Sequence, residues 1–222
     1  MTGFVAGTLV HTDKGLVPIQ EIKVGDRVLS RPENRGCDAP IEYKIVEKVF
    51  CSGEDNIIQL PYICESEFKI IKVIYLTDYH AIWHEREKKW IPAIKLENGD
   101  ELSFIKNEKI FFVYGVSEVL NFKDDGSIGY CNHYLHNSLG YSVGHSFVYK
   151  GKYSIKTDYL QNNDLSNQYS RYIDDFESFD IGSNVYPENF GGLSRFKIKV
   201  YNLDVEDHHT YFVGDAGIWV HC

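Results

Sequence analysis

The feature that most constrains this chain is a repeat within it. Leu16-Val17-Pro18 leads to Gly25-Asp26-Arg27-Val28-Leu29-Ser30, and Trp90-Ile91-Pro92 leads to Gly99-Asp100-Glu101-Leu102-Ser103. Pro precedes Gly-Asp by the same interval in both copies, with an apolar residue, Ile22 or Leu96, at the same place between them. Each copy reads as a strand end, a short helical turn opened by Pro, and a Gly-Asp turn feeding another strand. Repetition of such a unit predicts a duplicated β architecture with internal pseudo-symmetry.

The rest of the chain agrees with an all-β class. Segments 41–50, 56–62, 68–77, 109–122, 195–203 and 210–213 combine alternation with β-branched and aromatic residues, as strands do. The 16 Tyr and 13 Phe favour strands over helices. One stretch differs: Leu165, Tyr169, Tyr172, Ile173, Phe176 and Phe179 fall at helical spacing, with Asn163 or Asp164 as N-cap. That short helix lies in a polar, Tyr- and Asn-rich segment, 123–194, which reads as an insertion. The domain proper then comprises 3–122 and 195–222.

Composition narrows the function classes. A chain of 222 residues can close one sizeable core and carry an insertion. A formal charge of −9 argues against nucleic acid as a partner, since such binders present a basic face. No apolar run approaches the roughly 18 residues that span a bilayer, so no membrane partner is expected. The N-terminus lacks the charged-then-apolar layout of a signal peptide. Cys37, Cys51, Cys64, Cys131 and Cys222 form an odd set without CxxC spacing, which predicts reduced thiols rather than a disulfide scaffold. A soluble monomer is expected; the compartment stays open.

The two ends carry the remaining signal. Residues 3–12 begin Gly3-Phe4-Val5-Ala6-Gly7-Thr8, and residues 200–214 contain Asp207-His208-His209-Thr210-Tyr211-Phe212-Val213 before the closing Gly217-Ile218-Trp219-Val220-His221-Cys222. Between them stands Thr77-Asp78-Tyr79-His80 after an apolar strand. Together these blocks, over roughly 3–103 and 196–222, resemble the Hint (hedgehog/intein) superfamily of self-processing domains. The likeness is greatest to the intein-like pretoxin Hint domains of bacterial polymorphic toxins.

The resemblance implies a horseshoe-like, pseudo-twofold β fold, which agrees with the repeat. It implies protein splicing or autocatalytic cleavage at the domain's own N- and C-terminal flanking polypeptides, without a cofactor and without turnover. It also implies a bacterial domain carried in a secreted toxin precursor. In the family a Cys before the Phe attacks the upstream carbonyl to give a thioester. The T-x-x-H pair assists that step, so its roles would pass to Thr77 and His80. Asn202 stands where many inteins carry an Asp that aids the first step. At the other end a terminal Asn cyclises onto its own carbonyl. The preceding His, here His221, polarises that carbonyl, and an upstream His, here His209, assists proton transfer. His208 reads as a solvated neighbour of His209, although either ring could face inward. Imidazoles suit such work because they both donate and accept protons near neutral pH.

Both ends depart from the pattern. Gly3, at the nucleophile position, has no side chain and cannot perform an acyl shift. Cys222 has no carboxamide; it either replaces the Asn or stands for the first nucleophile of the downstream segment. Both changes together read as a deliberate trap of an unprocessed domain, with natural divergence as the alternative. Three functions therefore compete: an inert self-processing domain, a non-catalytic spacer of a toxin precursor, and a metal-dependent hydrolase or nuclease in the insertion. The last rests on Cys131, His133, His136 and His145, whose residue types suit zinc but whose spacing fits no standard finger.

Overall fold

A computed structural model of the protein describes residues 2–36, 38–64, 71–105, 111–121, 126–137, 140–150, 155–161 and 194–222. Among them the chain is all-β, with two single-turn 3₁₀ helices at Ile19–Glu21 and Ala93–Lys95. The helix expected over 164–179 lies outside the described residues.

Most strands join one 15-stranded antiparallel sheet. At its centre Phe4–Val5 is inserted between Ile71–Leu76 and Lys197–Val205, with Phe4 opposite both Leu76 and Tyr201. Lys197–Val205 pairs with the long Glu42–Asn56 strand, which continues through Arg27–Ser30 and Leu9–Thr12 to Thr210–Val213. The final strand, Ile218–His221, lies between Thr210–Val213 and Ala81–His84. Leu102 then bridges back to His84, so the strand path returns on itself around an apolar centre. Phe4, Val10, Leu60, Leu76, Ile82, Leu203, Tyr211 and Val220 fill that centre and are excluded from water. This burial, proportional to apolar area, is the main force holding both chain ends in one body.

The sequence repeat is a structural repeat. Pro18 and Pro92 open the two 3₁₀ turns with φ, ψ of −58°, 135° and −57°, 134°. Ile22 and Leu96 close them at −65°, 140° and −72°, 141°. Gly25 and Gly99 then take φ of 90° and 91°, a left-handed turn that side chains resist. The amide of Gly25 meets the Val46 carbonyl as that of Gly99 meets Val113, both at 2.9 Å. The equivalence extends beyond the segments alike in sequence: Ile19 donates to the Thr8 carbonyl as Ala93 does to His80, at 2.8 and 2.9 Å. The pseudo-twofold thus relates residues 4–12 to 76–84 and passes between Phe4 and Leu76, beside the N-terminal block.

Two strand expectations change. Within the run 109–122, the described residues 111–121 are not one strand: Phe111–Val113 and Ser117–Glu118 are separated where Gly115 takes a φ of 145°, and Leu120–Asn121 follows after Val119. The segment read as polar insertion contains Ile128–Asn137, Gly140–Lys150 and Ile155–Gln161, which with Leu120–Asn121 form a separate four-stranded sheet. Its attachment is apolar on one side, where Cys131 and Val148 pack with Ile57, Val119 and Phe196.

Candidate functional site

The sheet order brings the two ends of the chain to the same place. Gly3 is buried and exchanges two hydrogen bonds with Thr77: its amide donates to Thr77 Oγ1 at 3.0 Å, and its carbonyl accepts from the Thr77 amide at 2.9 Å. The His80 amide donates to the Thr77 carbonyl at 3.2 Å, which folds the loop back toward the core. The His80 ring then lies edge-on to Phe4, with centroids 4.3 Å apart. It is wholly buried, and its ring nitrogens make no close hydrogen bond to a side chain among the described residues, only a weak contact with the His221 backbone that opposes the effect of burial. Burial lowers its pKa from 6.5 to about 3, and the neighbouring His221 adds to the depression. His80 is therefore a neutral imidazole between the first and last blocks of the chain.

The C-terminal side is built by the strand Ile218–His221. His221 Nδ1 lies 3.2 Å from the carbonyl oxygen of Cys222, and Nε2 lies 2.5 Å from Glu33 Oε2. The edge of Trp90 packs on the same ring at a centroid distance of 5.2 Å. The Cys222 amide donates to the His209 carbonyl at 2.8 Å, holding the last residue against the preceding turn. Burial pushes the Cys222 thiol well above the usual thiol range, so it stays protonated and is a poor nucleophile.

No protein-family model and no curated protein sequence matches the chain. Solved structures do. An intein-like domain from the bacterium Clostridium thermocellum is 20% identical with a TM-score of 0.55, over 100% of this chain and 99% of that one. The gp41-1 intein is 14% identical with a TM-score of 0.50, again over 100% and 99%. The chain has the Hint fold of inteins.

On that fold the candidate residues divide. Thr77, His80 and His221 meet at the junction of the two ends with Gly3. Asn202, buried on the Lys197–Val205 strand, accepts a 2.6 Å hydrogen bond from the Tyr211 hydroxyl and a 2.9 Å bond from the Leu203 amide, both at Oδ1. The Tyr211 hydroxyl lies near both Asn202 and the Cys222 thiol, and burial raises its pKa well above the ordinary phenol value.

Of the two adjacent histidines, either of which could face inward, the structure buries the first. His208 is the buried one, with Nδ1 3.2 Å from Ser30 Oγ and Nε2 3.1 Å from Glu42. His209 leaves its ring half-exposed beside Asp204, and only its backbone carbonyl reaches Cys222. The cause is the turn: Asp207 and His209 both take left-handed φ values, 59° and 51°, which rotate the side chains away from simple alternation.

Gly3 also has a tight surrounding. A Cβ on it would stand 2.5 Å from the Tyr201 carbonyl oxygen and 3.0 Å from its carbon, both backbone atoms. The fold here closes around glycine at position 3.

The zinc candidates sit in the separate sheet. Its register pairs Cys131 with Ser146, His133 with Gly144, His136 with Tyr141 and His145 with Asn132. The Cys131 thiol is buried and donates to Gln59 Oε1 at 3.3 Å.

Sequence reasoning missed two charged residues at the site, Glu33 and Arg195. Glu33 sits in a loop with no motif. Arg195 grips Asp78, inside the Thr77–His80 loop. Neither position carries a local signal, because each partner is far away in the chain.

Proposed function

We propose that this chain is a self-processing domain acting on the peptide bonds that join it to its own flanking polypeptides. Residues 3–122 and 195–222 form the processing domain, and 123–194 is carried as an insertion. The observation that supports this reading is His80. A fully buried imidazole is costly unless its nitrogens are well satisfied, and this one stands between Phe4 and the backbone of His221, where both junction peptides would pass. A neutral ring there can accept a proton from one group or donate to another.

In its present sequence the domain is inert. Gly3 supplies no nucleophile, so no thioester forms, and Cys222 supplies no carboxamide. His221 Nδ1 lies 3.2 Å from the backbone oxygen of Cys222, here part of a terminal carboxyl group that stands in for the carbonyl of a junction peptide, which supports a role for His221 in a C-terminal step. With Asn at 222 the side-chain nitrogen would attack that carbonyl carbon and form a succinimide. The bond to the next residue would break, and the departing amine would take up a proton. With Nε2 donating to Glu33, Nδ1 donates to that oxygen only when the ring carries a proton on both nitrogens, and the hydrogen bond then strengthens as the oxygen gains charge.

The test is Cys222→Asn followed by a short downstream peptide. Mass spectrometry should find the peptide released and the domain ending in a succinimide or its hydrolysed form. His221→Ala should suppress release. A protein that stays whole in both forms would sink the proposal.

The second reading, a non-catalytic spacer within a toxin precursor, is favoured by one observation. The Tyr201 carbonyl occupies the space that a side chain at position 3 would need. The same experiment separates the two, since a spacer releases nothing when Asn is restored.

A further inference from the structure

We propose that Glu33 is the positioning residue of the C-terminal step, holding the His221 ring so that Nδ1 meets the carbonyl of residue 222. This rests on the self-processing reading above. A ring on the last strand can turn about its χ2 axis, and in most orientations neither nitrogen would reach that oxygen. Glu33 removes the freedom. Its Oε2 lies 2.5 Å from Nε2, while Nδ1 on the other side of the ring lies 3.2 Å from the Cys222 oxygen. The Trp90 edge closes a third side. A carboxylate at one imidazole nitrogen fixes both which nitrogen faces the reacting group and how the ring stands, and it favours the doubly protonated ring, the form in which Nδ1 can donate to the carbonyl oxygen while Nε2 donates to Glu33.

Glu33 is itself held by a rigid neighbour. Two residues earlier, the Arg31 carbonyl accepts from Thr210 Oγ1 at 2.5 Å, and the Arg31 amide donates to the same oxygen at 3.4 Å. The buried Arg31 guanidinium donates to Ser103 Oγ at 3.1 Å and lies over Trp219, 5.0 Å from its centroid. Ser30 Oγ donates to the Thr210 carbonyl at 2.7 Å. The loop bearing Glu33 is thus tied to the strand pair Thr210–Val213 and Ile218–His221, whose register sets His221 opposite Thr210. Carboxylate and imidazole are anchored to the same two strands from opposite directions.

Two measurements test the assignment. In the unaltered chain, NMR should show a nuclear Overhauser contact between the His221 and Trp90 rings. Glu33→Ala should lose it, and Glu33→Asp should keep part of it. In the Cys222→Asn protein with its downstream peptide, Glu33→Ala should slow C-terminal release by about 10- to 100-fold, with Glu33→Asp recovering part of the rate and the unfolding midpoint unchanged. Release at the full rate in Glu33→Ala would overturn the proposal. If the Asn-restored protein releases nothing at all, the self-processing reading fails by itself. The ring contact then decides the orientation: persistence in Glu33→Ala overturns the role of Glu33, and loss supports it.

Discussion

Arg195 holds Asp78 with both terminal guanidinium nitrogens, at 2.5 and 2.7 Å, and donates again to the Ile57 carbonyl at 3.1 Å. Asp78 is the residue between Thr77 and Tyr79, so this fork fixes the loop that presents Thr77 to Gly3 and His80 to the core. Asp78 and Arg195 hold each other from segments brought together only by the sheet.

Replacing Arg195 with Ala should leave Asp78 partly buried and unpaired and cost about 1–3 kcal/mol, the range for losing a charged hydrogen-bond partner. Arg195→Lys should fall between wild type and Ala, because one ammonium cannot reproduce two parallel hydrogen bonds. Urea unfolding measures both. Hydrogen exchange at the Thr77 and His80 amides should quicken in the same order, and equal exchange in all three proteins would show that the pair does not hold the loop.

The buried His80 makes stability depend on pH. Its folded pKa of about 3 lies below the unfolded value of 6.5, so below pH 6.5 the unfolded chain takes up a proton that the folded chain refuses. Stability is full above about pH 6.5, falls as pH drops toward about 3, and levels below that. One such site contributes a slope of about 1.4 kcal/mol per pH unit. His80→Leu should flatten the dependence of urea unfolding on pH within this window. Identical slopes in the two proteins would contradict a buried neutral ring.

Adding a side chain at position 3 should destabilise the domain. Gly3→Ala puts a methyl group 2.5 Å from the Tyr201 carbonyl oxygen, which must move with its strand. A loss of about 1–3 kcal/mol is expected for such overpacking, read as a lower denaturation midpoint. Gly3→Cys should show the same loss, and thiol-induced cleavage of an upstream peptide would follow only if the Tyr201 backbone yields. A Gly3→Ala protein as stable as the parent would show that this strand gives way freely.

The duplicated turn predicts paired effects. Gly25 and Gly99 share φ near 90°, and no atom lies within 4 Å of a Cβ built at either place. Gly25→Ala and Gly99→Ala should therefore cost similar amounts, about 1 kcal/mol or more, from backbone strain alone. Calorimetric or denaturant unfolding of the two variants compares them. A large loss at one and none at the other would show that the halves are not energetically equivalent.

By itself the sequence determined the features that local chemistry dictates. Pro18 and Pro92 preset one dihedral angle, Gly25 and Gly99 permit another, and the alternating segments between them seek a sheet. A duplicated β architecture followed from these, along with the placement of Thr77 and His80 just after a strand, while the Hint fold rested on the resemblance carried by the terminal blocks. Tertiary structure decided what depends on partners remote in the chain. Which of His208 and His209 turns inward depends on two left-handed residues in a turn, and no periodicity records that. The room at Gly3 is set by the Tyr201 carbonyl on a strand almost the whole chain away. Glu33 and Arg195 look like ordinary surface charges until the sheet brings His221 to one and Asp78 to the other. Backbone preferences act over a few residues and can be read in order, whereas the contacts that orient a site form only when strand register has fixed which distant residues meet.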